Sequence, residues 1–112
     1  IANAQSKFLL RNGTSCPAYC EVTATNSASI DIAFSNTVNP NGGYWVVELP
    51  EGYEPCFVKT DFGPDGTSDF GSFNPLSSFC SGATWENDQS GCFTDFDGWY
   101  GPNGDWWSFG FY

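Results

Sequence analysis

Apolar and polar residues alternate with a period of two along much of this chain. Ile30, Ile32 and Phe34 interleave with Ser29, Asp31, Ala33 and Ser35. Trp45, Val47 and Leu49 interleave with Tyr44, Val46 and Glu48, and Pro50 ends the run. Such alternation sends one set of side chains to each face of a half-buried strand. Short apolar or β-branched runs predict further strands at Phe8-Leu9-Leu10, from Glu21 to Thr25 and from Cys56 to Thr60. A last, aromatic strand runs from Trp106 to Tyr112, with Gly110 as its weak point.

Helix patterning is poor. Gly or Pro recurs every few positions from residue 39 onward, and the segment 18–39 that lacks both is rich in Thr, Ser, Asn, Val and Ile. Those residues favour strands, turns and caps over helix interiors. Only a short helical turn from Asn74 to Ser78 fits. Residues 63–82 read as a long ordered loop anchored by Phe62, Phe70, Phe73 and Phe79. The expected fold is all-β: a small antiparallel β-sandwich or barrel with long Gly/Pro/Asp-rich loops, stapled by disulfides. A length of 112 residues makes it one domain, 1–112.

One turn sequence recurs. Pro40-Asn41-Gly42, Pro64-Asp65-Gly66 and Pro102-Asn103-Gly104 share the order Pro, Asn or Asp, Gly. Proline presets φ, Asn or Asp tolerates left-handed geometry, and glycine takes a positive φ. The last two copies follow Cys-Phe and then Thr-Asp-Phe, at 56–62 and 92–96. Two readings fit that echo: a duplicated hairpin, or the same turn chemistry reached twice.

Composition sets the compartment. Cys16, Cys20, Cys56, Cys80 and Cys92 in so short a chain read as disulfide candidates of an exported protein. The absence of methionine leads us to expect a processed, secreted, extracellular chain. No apolar run approaches the roughly 20 residues that span a bilayer, so no transmembrane segment is expected. We expect Cys80 to pair with Cys92, and Cys56 with Cys16 or Cys20. The fifth thiol would lie buried or link a homodimer. Asn12-Gly13-Thr14 is a glycosylation sequon, with Asn12 as acceptor. The net charge is −10, with Lys7, Arg11 and Lys59 the only cations. Nucleic acid and anionic membrane surfaces are therefore poor partners.

Histidine is absent, which excludes Ser-His-Asp and Cys-His catalysis and histidine metal sites. Nucleotide-binding glycine motifs are missing too. Hydrolysis of a glycosidic bond by a carboxylate pair would draw on Asp61, Asp65, Asp69, Asp95, Asp97 or Asp105, but acidic chains always offer such pairs. The expectation is a protein that is not an enzyme and needs no cofactor. Asp61, Asp65, Asp69 and Asp95 are calcium candidates, against the alternative of turn-forming aspartates bonded to their own backbone. Nine of the last twenty-one residues are aromatic. Strand alternation sends Trp106 and Trp107 to opposite faces, so one is a surface candidate, and Trp99-Tyr100, at a glycine-flanked loop tip, is a second.

Exposed indoles beside carboxylates and amides suit a sugar, with C–H faces on the ring and hydroxyls on the polar groups. The first expectation is thus a non-catalytic, lectin-like carbohydrate-binding protein using Trp99, Tyr100, Trp106, Trp107, Asp97, Asn103 and Asp105. The alternatives are a secreted defence, effector or toxin-like protein that binds an extracellular protein, and a calcium-binding β domain. The run from Gly42 to Gly52, followed by Thr60-Asp61, resembles an early hairpin of thaumatin-like proteins. Those are secreted disulfide-rich β-sandwich proteins, some of which bind glucans. The likeness includes none of their functional residues and the chain lacks their dense cysteine framework, so no site is carried over.

Overall fold

The structure is a computed structural model that describes residues 6–62, 70–73, 92, 94–100 and 106–112. For residues 6, 70–73, 98–100 and 106 it describes the backbone alone. Eight strands form: β1 (Ser6–Asn12), β2 (Ala18–Thr25), β3 (Asp31–Val38), β4 (Gly43–Leu49), β5 (Glu54–Phe62), β6 (Phe70–Phe73), β7 (Phe96–Tyr100) and β8 (Trp106–Phe111). The described residues contain no helix. One four-stranded sheet has the order β4-β1-β8-β7 and the other β3-β2-β5-β6.

The second sheet is antiparallel throughout, but the first is mixed, because β1 and β8 run parallel. That corrects the antiparallel expectation. Parallel neighbours cannot be joined by a tight turn, so a pairing between the first and last strands leaves no local trace. β6 lies within the stretch where the sequence predicts a long loop, and β7 contains Trp99 and Tyr100, where it predicts a loop tip. The helical turn expected at 74–78 lies outside the described residues.

Alternation decides what is buried. On β1, Phe8 and Leu10 point inward, and on β8 Trp107, Phe109 and Phe111 do the same. From the second sheet come the inward side chains of β2 and β5, including Val22, Val58 and Phe62. All join one core. Phe62 and Phe111 cross from sheet to sheet edge to face, with ring centroids 5.0 Å apart. Each such buried ring stabilises the fold by about 2–3 kcal/mol relative to an exposed one. Ile30, expected on the inward face with Ile32, is instead 56% exposed in the turn before β3. Asn26 builds that turn by accepting from the amides of Ala28 and Ile30, both at 3.0 Å. At the far end of β2 the ladder slips: Thr23 faces Phe57, and Ala24 faces Pro55. Proline has no N–H to donate, and the resulting bulge leaves Pro55 and Cys56 both buried.

The connection from β3 to β4 uses the recurring turn as expected. Asn41 has φ of 62° and Gly42 has φ of 97°. Their amides donate to the carbonyls of Thr14 and Asn12, both at 2.8 Å. The other two copies of the turn lie outside the described residues. The strands before them are not equivalent. Cys56-Phe57 and Thr60-Asp61-Phe62 all lie within β5, whereas β7 starts only at Phe96.

Two cysteine expectations are corrected. Cys16 pairs with Cys92, so Cys92 is not bonded to Cys80 nor Cys56 to Cys16. The parallel β1–β8 pairing explains this. Gly13 donates to Phe111, and Tyr112 pairs through its backbone with Asp95, so the turn after β1 and the lead into β7 meet at one end of the first sheet. Cys56 is disulfide-bonded, but not to Cys20, which is free and buried.

Candidate functional site

The outer face of the first sheet carries the site. β1 turns Lys7, Leu9 and Arg11 outward, β4 turns out Tyr44, Val46 and Glu48, and β8 turns out Ser108 and Gly110. The registers align them in rows. Arg11 faces Tyr44 on one side and Gly110 on the other, and Gly110 faces Asp97 of β7. An open trough of about 340 Å³ follows this row, bounded by Leu9, Arg11, Asp97, Ser108, Gly110 and Tyr112. That volume falls within the range of small-ligand pockets.

Gly110 forms the floor, and among the described residues neither backbone geometry nor space requires a glycine there. Positive φ among glycines is found at Gly42 and Gly52, not at Gly110, and both ladders pass through Gly110 without a register shift. A Cβ added to it would meet only the Arg11 carbonyl oxygen at 3.5 Å and Arg11 Cβ at 3.7 Å, ordinary contacts. Glycine inside a strand costs about 0.5–1 kcal/mol relative to alanine. What it provides is a gap between a cation and an acid, where another molecule can approach the backbone.

Tyr112 closes one end of the trough. Its amide donates to the Asp95 carbonyl at 2.9 Å, and its own carbonyl accepts from Thr94 and Asp95. Its side chain is 48% exposed. The negative charge of Asp97, then desolvation, then the charge of Asp95 raise the pKa of its hydroxyl above the ordinary 10.0. The phenol therefore stays protonated and able to donate at neutral pH.

The site residues expected from sequence divide three ways. Asp97 is exposed and lines the trough. Trp107 is 4% exposed and belongs to the core, so it cannot stack on a ligand. The inward register of β8, shared with Phe109 and Phe111, places it there. For Trp99, Tyr100 and Trp106 the backbone is placed, with Trp99 opposite Ser108 and Tyr100 opposite Trp107. Asn103 and Asp105 lie outside the described residues. Sequence reading missed Arg11, Ser108, Gly110 and Tyr112 as a group, because only the β1–β8 pairing brings them together. Gly110, a lone glycine inside an aromatic strand, was the available signal.

The two calcium candidates among the described residues, Asp61 and Asp95, are not gathered. Asp61 is buried on β5 and Asp95 is exposed beside β7, in the other sheet, while Asp65 and Asp69 lie outside the described residues. Among the described residues no group of three or more acids or cysteines is placed to hold a metal ion. Asn12 is no glycan acceptor in this fold. It is fully buried, and its amide donates to the carbonyls of Cys16 at 2.9 Å and Val38 at 3.0 Å. Its oxygen accepts from the Thr14 amide at 3.0 Å and the Thr14 hydroxyl at 2.6 Å. Both residues that make the sequon are consumed in one buried network.

Cys20 is fully buried, so the odd cysteine is not presented for a disulfide between chains. It faces Thr60 across the β2–β5 ladder and takes a hydrogen bond from the Thr60 hydroxyl at 3.8 Å. Burial pushes its pKa up from 9.0 to about 12, against a smaller lowering by that bond. Among the described residues no helix is long and apolar enough to cross a membrane. No protein-family model matches the chain, no curated protein matches it, and no solved structure matches its fold.

Proposed function

We propose that this chain is an exported, non-catalytic carbohydrate-binding β-sandwich whose two sheets face each other across the shared core. The observation that carries the proposal is the trough at Gly110, a floor stripped of its side chain between Arg11 and Asp97. A sugar hydroxyl both donates and accepts, so it bonds to a guanidinium on one wall and a carboxylate on the other. The exposed ring of Tyr112 offers a face to the C–H surface of a pyranose, and Leu9 adds an apolar floor. Binding is favoured over hydrolysis because glycoside cleavage uses two carboxylates, and Asp97 is the only acid among the described residues that line the trough. The Cys16–Cys92 disulfide accords with an oxidising compartment.

A glycan array probed with the wild type and with Gly110→Val tests this. The wild type should bind a defined set of glycans, and the valine should fill the trough and abolish binding while circular dichroism shows an unchanged fold. A blank array with the wild type would point instead to an extracellular protein as partner.

A further inference from the structure

We propose that the trough, together with the sheet face that continues beyond it to Tyr44, takes an extended, uncharged oligosaccharide chain laid across the strands from Tyr112 over Arg11 to Tyr44, rather than a single sugar. This rests on the carbohydrate reading of the trough and specifies its ligand. Tyr44 is 66% exposed and stands directly opposite Arg11 on the outer face, in the same row as Gly110 and Asp97. Tyr112 lies on that face two residues beyond Gly110. The two tyrosines are thus two strands apart across the sheet and two residues apart along it, a separation of about 12 Å from strand spacing and rise. One pyranose ring cannot reach both, whereas a chain of linked rings can stack on each while Arg11 bonds to the hydroxyls between and Asp97, one strand beyond Gly110, bonds to those at the Tyr112 end. Tyr44 contributes nothing to the core that would explain its identity. Its exposed ring, in the row that leads from the trough, is placed to stack on a ligand.

Charge selects the kind of chain. The described charged residues of this face are Lys7, Arg11, Glu48 and Asp97 at outward strand positions and Asp95 beside Tyr112, two cations and three acids. Lys7 is matched directly opposite by Glu48, while Arg11 has no acid directly opposite in either ladder. Two of the three cations of a chain with net charge −10 lie on this face. A face of mixed charge within an acidic molecule fits a neutral polyhydroxylated chain. A polyanion would meet the field of the whole chain, and a polycation would meet Arg11.

Titration calorimetry with cello-, laminari- and chito-oligosaccharides, each from monomer to hexamer, tests the proposal on the wild type, Tyr44→Ala and Tyr19→Ala. Linked units raise affinity through effective concentration, so in the series that binds the Kd should fall at least about tenfold from monomer to hexamer. Tyr44→Ala should remove that gain. Tyr19, exposed on the other sheet, should be replaceable without altering it. A monomer that binds as tightly as the hexamer overturns the extended-chain proposal and leaves sugar binding standing. So does a Tyr44→Ala variant with the full wild-type gain. Absence of binding in every series removes both.

Discussion

Asn12 shows how one buried side chain organises a corner of the molecule. Its amide and carbonyl take part in four hydrogen bonds that join the end of β1, the Thr14 turn, the Cys16 segment and the end of β3. Its own backbone carbonyl holds Gly42 of the next turn. Replacing it with alanine leaves the Val38 carbonyl and the Thr14 amide to find other partners in a buried site, and leaves the Cys16 carbonyl only the Thr14 hydroxyl. We expect Asn12→Ala to lower stability by about 3 kcal/mol in urea unfolding. Cys20 makes the second prediction. Its thiol ionises near 9.0 when exposed but holds its proton to about 12 in the fold. Between those values the unfolded state binds fewer protons than the folded one. The contribution is therefore fully present below pH 9.0 and is lost as pH rises toward about 12, by up to about 1.4 kcal/mol per pH unit. Unfolding of Cys20→Ala across the same range should lack that extra slope, since the other titrating groups are common to both proteins. Parallel pH profiles for the two proteins would show the thiol to be ionised in the fold.

At the scale of elements, the strands with clean alternation were legible in the sequence and the pairings were not. β4 follows the period of Trp45, Val47 and Leu49, and the turn before it follows from Pro40-Asn41-Gly42. β7 was hidden because Gly98, Trp99 and Tyr100 read equally as a loop tip. The trough was hidden for a different reason: it exists only where β1 lies beside β8, and their separation along the chain erases any local signal. The same pairing decided the disulfide. Spacing along the chain favours Cys80 as the partner of Cys92, yet the first sheet carries Cys16 to its side. That bridge closes a separation of 76 residues. In the loop-entropy treatment its removal costs about 4 kcal/mol. Cys16→Ala combined with Cys92→Ala should shift the urea midpoint accordingly while leaving far-ultraviolet dichroism β-like. A shift below about 1 kcal/mol would mean that the unfolded chain is already restrained without the bridge.

For the molecule as a whole, charge separates stability from recognition. Thirteen acids against three cations repel one another in the folded state, and salt relieves that repulsion. From about 0.01 M to 1 M salt the screening length falls from about 30 Å to about 3 Å. The melting temperature should therefore climb with added salt over that range. Binding in the trough should respond differently. Its proposed ligand is neutral, and Arg11 and Asp97 act on it through hydrogen bonds at contact distance, which screening hardly reaches. The Kd for the oligosaccharide that binds best should stay within about twofold across the range in which the melting temperature moves. A Kd that rises steeply with salt would instead show ion pairing and hence a charged ligand. The paired measurement is informative because one addition of salt acts on both properties. A rising melting temperature with a constant Kd assigns the acidity to the molecule's general field and leaves the trough to short-range polar and aromatic contacts.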